Sequence, residues 1–147
     1  MKIAGLIILF LYLFSMSVYD VKRREIHIGF SLLTAVLLFI GQLIRIFQGG
    51  LSWYSLFWGM IPGCFLIWLS WFSKGQVGTG DGIVFVISGI FLGFLETGIL
   101  LFVSLLFAAS GGGIMVFRKK MGRKDTLPFV PFIFAGYGVM CLWKVIG

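Results

Sequence analysis

Residues 82–117 read GIVFVISGIFLGFLETGILLFVSLLFAASGGGIMVF, 36 residues with a single charged side chain, Glu96. An α-helix needs about 20 apolar residues to cross about 30 Å of hydrocarbon. The stretch is therefore too long for one ordinary crossing and suits two, with Leu95-Glu96-Thr97-Gly98 predicted as the turn between them. Working outward, the spacing predicts spans over residues 3–19, 28–47 and 52–72 on the N-terminal side and 127–146 on the C-terminal side. Pro62 predicts a kink in the third span, because proline removes a helix N–H. Gly111-Gly112-Gly113 in the fifth permits close helix contact or a bend. The predicted fold class is an all-α integral membrane protein of about six transmembrane helices, with residues 1–147 as a single membrane-embedded domain.

Composition agrees with this reading. Hydrophobic residues make up 60 % of the 147 and charged residues 12 %, against roughly 45–50 % apolar in ordinary soluble domains. A lipid bilayer is the partner that covers such a surface. The formal net charge of +7 comes in short runs between apolar segments. That is the pattern of cytoplasmic loops and not of a nucleic-acid-binding face. Lys22, Arg23, Arg24, Lys74, Arg118, Lys119, Lys120, Arg123 and Lys124 follow odd-numbered spans, whereas Lys2, Arg45 and Lys144 lie at the other face, a split of nine against three. The termini are expected outside and the three basic loops inside. Ser15-Met16-Ser17 offers a cleavage-like triplet, but the larger basic cluster follows the first apolar stretch, where a signal peptide would have it in front. Cys64 and Cys141 stand alone and read as packing residues.

Acidic residues are scarce: Asp20, Glu25, Asp81, Glu96 and Asp125. An ionisable group at the edge of a span is a functional candidate. Asp20 closes the first span and Asp81 opens the fourth. The charge rule puts both at the cytoplasmic end, although 61 positions separate them. Two readings stand side by side. Asp20 can be an interfacial charge beside Lys22, Arg23 or Arg24, with Asp81 favouring the start of its own helix. Alternatively, the two carboxylates share a proton. Then one draws a proton from water while the other polarises a peptide carbonyl, which is aspartic peptidase chemistry without metal, cofactor or covalent intermediate. Such a pair titrates as a unit, so neither role is assigned to either residue.

The flanking residues favour the second reading. Asp81 ends the tetrad Gly78-Thr79-Gly80-Asp81, in which Gly78 and Gly80 let the backbone bend and approach a substrate. The chain resembles the type IV prepilin peptidases, a family of GxGD membrane aspartic peptidases. Three segments carry the likeness. Asp20-Val21-Lys22-Arg23-Arg24-Glu25-Ile26 resembles the D-x-x-x-R-x-I motif around the family's first aspartate. Gly78 to Gly93, GTGDGIVFVISGIFLG, resembles its second motif. Leu127-Pro128-Phe129-Val130-Pro131-Phe132 resembles its Pro-Phe-x-Pro-Phe segment. Two departures stand out: the family often has Pro-Asn in place of His27-Ile28, and Val-Lys in place of Gly82-Ile83.

The resemblance implies a GxGD aspartic protease fold with Asp20 and Asp81 as the catalytic pair. Arg24, Gly78, Gly80, Pro128 and Pro131 would bind substrate or support the pair. The implied substrate is a pilin-like precursor, cut at its basic leader on the cytoplasmic side of the inner (plasma) membrane, as in short members that serve tight-adherence pili. Longer members carry a cysteine-paired region associated with methylating the new N-terminus, so peptidase activity without methyltransferase activity is expected. His27 reads as an interfacial residue and Asp125 as a solvated loop charge. A scaffold or transport protein of the same fold, or a GxGD intramembrane protease with other substrates, are the alternatives. The sequence names neither the substrate nor the oligomeric state.

Overall fold

The computed structural model describes residues 2–23, 28–73, 78–117 and 128–146. These form six α-helices: α1 (Lys2–Arg23), α2 (Ile28–Phe47), α3 (Trp53–Phe72), α4 (Thr79–Leu92), α5 (Phe94–Phe117) and α6 (Val130–Ile146). Four of them, α1, α2, α3 and α5, are long and apolar enough to cross a membrane. The other two are shorter. With 14 residues, α4 is about 21 Å long at 1.5 Å per residue, short of a full hydrocarbon thickness. The protein is an all-α integral membrane protein in which the short α4 is surrounded by the four full-length helices, whereas α6 packs against α1 and α5 and exposes Leu142 and Trp143 on its outer side.

One expected boundary is corrected. The turn between the fourth and fifth helices is not at residues 95–98, which are helical, but at Gly93. Gly93 has φ of 84°, a left-handed conformation that a side chain resists. Its N–H donates to the Gly89 carbonyl at 3.0 Å, ending α4. Its carbonyl accepts from both the N–H and the hydroxyl of Thr97, at 3.1 and 2.7 Å, which starts α5. Glu96 thus lies in the first turn of α5, where a carboxylate is favoured by the helix dipole. Pro62 lies inside α3, which runs unbroken from Trp53 to Phe72.

The closest packing is between α3 and α4. A Cβ on Gly59 would run into the carbonyl oxygen of Gly89, and one on Gly63 would run into the main chain of Val86. The Gly59-x-x-x-Gly63 spacing puts both on one face and lets the helix backbones touch, a packing mode suited to lipid, where close contact replaces the hydrophobic drive. Gly111 also meets a neighbour, the Phe132 ring, whereas Gly113 has open space around its Cα.

The core is built from helix stripes: Leu9, Tyr12, Leu13 and Met16 on α1, Val84, Phe85 and Ile87 on α4, and Val130, Ile133 and Tyr137 on α6. Buried hydroxyls are satisfied within their own helices, as where Ser88 donates to the Val84 carbonyl at 2.8 Å and Ser104 to that of Leu100 at 2.6 Å. Between helices, Tyr12 donates to Ser31 Oγ and Tyr137 to the Leu6 carbonyl, each at 3.1 Å. Large side chains such as Trp71, 81 % exposed, cover the outside, and Cys64 faces outward with them rather than packing in the core.

Candidate active site

The α1 stripe of Leu9, Leu13 and Met16 continues, one turn later, to Asp20. The α4 stripe of Phe85 and Val84 leads back, one turn earlier, to Asp81. Each acid therefore ends an inward-facing row, and both are partly buried. The rows meet at one end of the bundle, where the charges of Asp20 and Asp81 act on each other.

Helix α6 joins them through its N-terminus. Val130, its first residue, donates its main-chain N–H to Asp20 Oδ2 at 3.1 Å, across 110 positions of sequence. Pro128 and Pro131 flank this donor, and both are partly buried. Pro131 falls in the first helical turn, where a missing N–H breaks no helix bond. The Phe129 carbonyl accepts from the N–H groups of Phe132 and Ile133, at 3.0 and 3.2 Å. The Phe129 ring lies 6.4 Å from that of Phe85, so an aromatic pair closes the space between α6 and α4 one turn from Asp81.

Gly78 caps α4 in an extended conformation, φ −64° and ψ 125°, and its carbonyl accepts the Asp81 N–H at 3.1 Å. The acid's side chain folds back over it: a Cβ at position 78 would lie 2.9 Å from Asp81 Oδ2. Space, and not a left-handed backbone, is what position 78 requires, since the positive-φ glycines among the described residues are Gly49 and Gly93. Gly80 sits in the first turn of α4, partly buried. Arg24, His27 and Asp125 lie outside the described residues. Among the described residues no three His, Cys, Asp or Glu side chains gather at one place.

Val130, Phe85 and Phe129 are site residues that sequence reasoning passed over. The signal for two of them was present, since Phe129 and Val130 are the residues held between Pro128 and Pro131.

The far end of the bundle has its own polar cluster. Gln42 on α2 donates to the Ile90 and Phe91 carbonyls at the end of α4, at 2.9 and 3.0 Å, and accepts from Arg45 at 2.8 Å. Lys144 pairs with Glu96 at 2.6 Å. A cavity of about 170 Å³ opens there, lined by Gln42, Arg45, Glu96 and Lys144 among others, on the side away from the aspartates. The arrangement agrees with the charge split, which set Arg45 and Lys144 opposite the aspartate end.

A sequence model of the type IV leader peptidase family matches residues 7–116, a segment that holds both Asp20 and Asp81. The chain is 34 % identical over 86 residues to a prepilin leader peptidase/N-methyltransferase of Bacillus subtilis (strain 168). That alignment covers 58 % of this chain and 35 % of the relative, so the chain spans about a third of the length of the protein it matches. No solved structure matches it significantly. With the family's match running through five of the six helices, this multi-pass membrane protein belongs to the type IV leader peptidase family.

Proposed function

We propose that the protein is a prepilin leader peptidase of the GxGD type, an aspartic endopeptidase whose single membrane-embedded domain uses Asp20 and Asp81 as its acid and base. The observation that carries this reading is that one partly buried carboxylate ends the inward row of α1 and another opens that of α4, in a chain of the leader peptidase family. Water attacks the scissile carbonyl while one carboxylate accepts its proton and the other, as a carboxylic acid, donates to the carbonyl oxygen. Gly78 keeps clear the volume into which the Asp81 side chain folds. Pro128 and Pro131 hold the start of α6 so that its first N–H meets Asp20, and Arg24 supports the same end.

The substrate is a pilin-like precursor with a basic leader ahead of an apolar helix, cut on the cytoplasmic side of the plasma membrane. The basic loops at this face repel such a leader, so binding rests on the carboxylates and on apolar contact along the substrate helix. We assign cleavage alone to this site.

Co-expression with a pilin-like precursor tests the reading. The wild type is expected to shorten the precursor, and Asp20→Asn and Asp81→Asn are each expected to insert normally and leave it uncut. Normal cleavage by either variant would overturn the assignment of the pair. A cut inside the apolar helix would point to an intramembrane protease with other substrates. No cut by the wild type would point to a scaffold or transport role.

A further inference from the structure

The two aspartates have different surroundings. Asp20 Oδ2 accepts the N–H of Val130. The first N–H groups of a helix have no partner inside it, and they carry the positive end of the helix dipole. An ionised carboxylate is an acceptor only and suits that donor at either oxygen, whereas a carboxylic acid has an O–H of its own to place. The donor is firmly held, because the Val130 side chain is fully buried and the preceding carbonyl, of Phe129, is engaged by two helix N–H groups. Asp81 lies in the first turn of its own helix, but among the described residues no N–H donates to its carboxylate. Its oxygen lies against Gly78, and the Phe85 and Phe129 rings follow one turn on.

We propose that the main-chain N–H of Val130 is a positioning group that keeps Asp20 as the ionised member of the pair, which makes Asp20 the base and Asp81 the proton donor. This rests on the peptidase reading above and adds the direction of proton flow. Asp20 takes a proton from water as the water oxygen bonds to the scissile carbonyl carbon. The carbonyl π electrons move to its oxygen, which takes the Asp81 proton. When the diol collapses, the C–N bond breaks and the leaving nitrogen takes the proton held by Asp20. One diol hydroxyl returns its proton to Asp81, and both residues regain their starting states.

Position 130 allows an atom-specific test. It is the first helical residue, where proline is tolerated, so Val130→Pro deletes the N–H and keeps a side chain of similar size. Val130→Ala keeps the N–H and trims the side chain. The full chain is reconstituted in lipid vesicles with a precursor bearing a basic leader and an apolar helix. Val130→Pro is expected to lower kcat on the order of tenfold, the usual scale of one hydrogen bond to a charged group, with KM nearly unchanged. Val130→Ala, which keeps the N–H but trims a fully buried side chain, is expected to lose clearly less kcat than Val130→Pro. Equal loss in both variants, or no loss in Val130→Pro, would overturn the role.

An infrared measurement needs neither substrate nor the proline variant. At neutral pH the wild type is expected to show a protonated-carboxyl stretch that disappears in Asp81→Asn. If the band survives in Asp81→Asn, or is absent from the wild type, Asp20 is not the ionised partner of a protonated Asp81 and the inference fails. If the wild type cleaves no precursor, the peptidase assignment fails, and the infrared result still decides where the proton sits.

Discussion

At Gly78 a single missing methyl group sets the geometry of an acid. The backbone there, φ −64° and ψ 125°, is open to any residue, so alanine is expected to fold well. Its Cβ, however, would lie 2.9 Å from Asp81 Oδ2, and the carboxylate must move. Gly78→Ala should therefore cut kcat by a factor on the order of ten to a hundred, the scale of a small misplacement of a reacting group, while the melting temperature in detergent stays near that of the wild type. A variant with wild-type kcat would show that Asp81 need not hold this orientation. The opposite outcome is expected at Glu96. Its pair with Lys144 is more than a third exposed on both sides, and such pairs contribute less than about 1 kcal/mol. Glu96→Gln should leave both cleavage and thermal stability close to wild type.

At the scale of elements, the α3–α4 contact and the Gly93 break determine where α4 sits, and with it Asp81. Gly89→Ala places a methyl group against the Gly59 carbonyl, which is backbone and cannot turn aside. The helices must separate, at a cost of about 1–3 kcal/mol for overpacking. Thermal unfolding in detergent should register this loss, and cleavage should fall with it. Gly138 on α6 is the control: nothing lies within 4 Å of a Cβ there, so Gly138→Ala is expected to be neutral or to stabilise by up to about 1 kcal/mol through helix propensity. The six apolar segments were legible in the sequence because short charged or polar links separate long apolar runs, although α4 and α6 prove shorter than a full crossing. The Gly93 turn was missed because Leu95-Glu96-Thr97-Gly98 looked more polar. Glycine is nonetheless an accepted residue just before a helix, and Gly93 directly precedes α5.

Across the whole molecule, the ends of α1, α4 and α6 that carry Asp20, Asp81 and Val130 share one face, and Gln42, Arg45, Glu96 and Lys144 share the other. Cysteine labelling in a background without Cys64 and Cys141 tests this directly. Lys22→Cys and Lys120→Cys should label from one side of the membrane and Gln48→Cys from the other. Gln48 is preferred to its neighbour Gly49, whose φ of 70° disfavours any side chain. Labelling of position 120 from the same side as position 48 would break the helix count.

The sequence by itself determined the solvent, the number of helices and that Asp20 and Asp81 close one helix and open another. Those follow from apolar length and from the distribution of Lys and Arg, which are local properties summed along the chain. It also marked the acids, because charge is costly at the edge of a span and has to be justified by a partner or a task. Only the tertiary structure decided what each acid meets. That α6 offers its first N–H to Asp20, and that Asp81 turns back over Gly78 beside Phe85 and Phe129, depends on which helices pack side by side. The backbone contact of Gly59 with Gly89 and the one-residue turn at Gly93 are what put α4 in that place. The pair first seen as two carboxylates on one face is, in three dimensions, an unequal pair, and its inequality comes from a main-chain donor 110 positions away from Asp20.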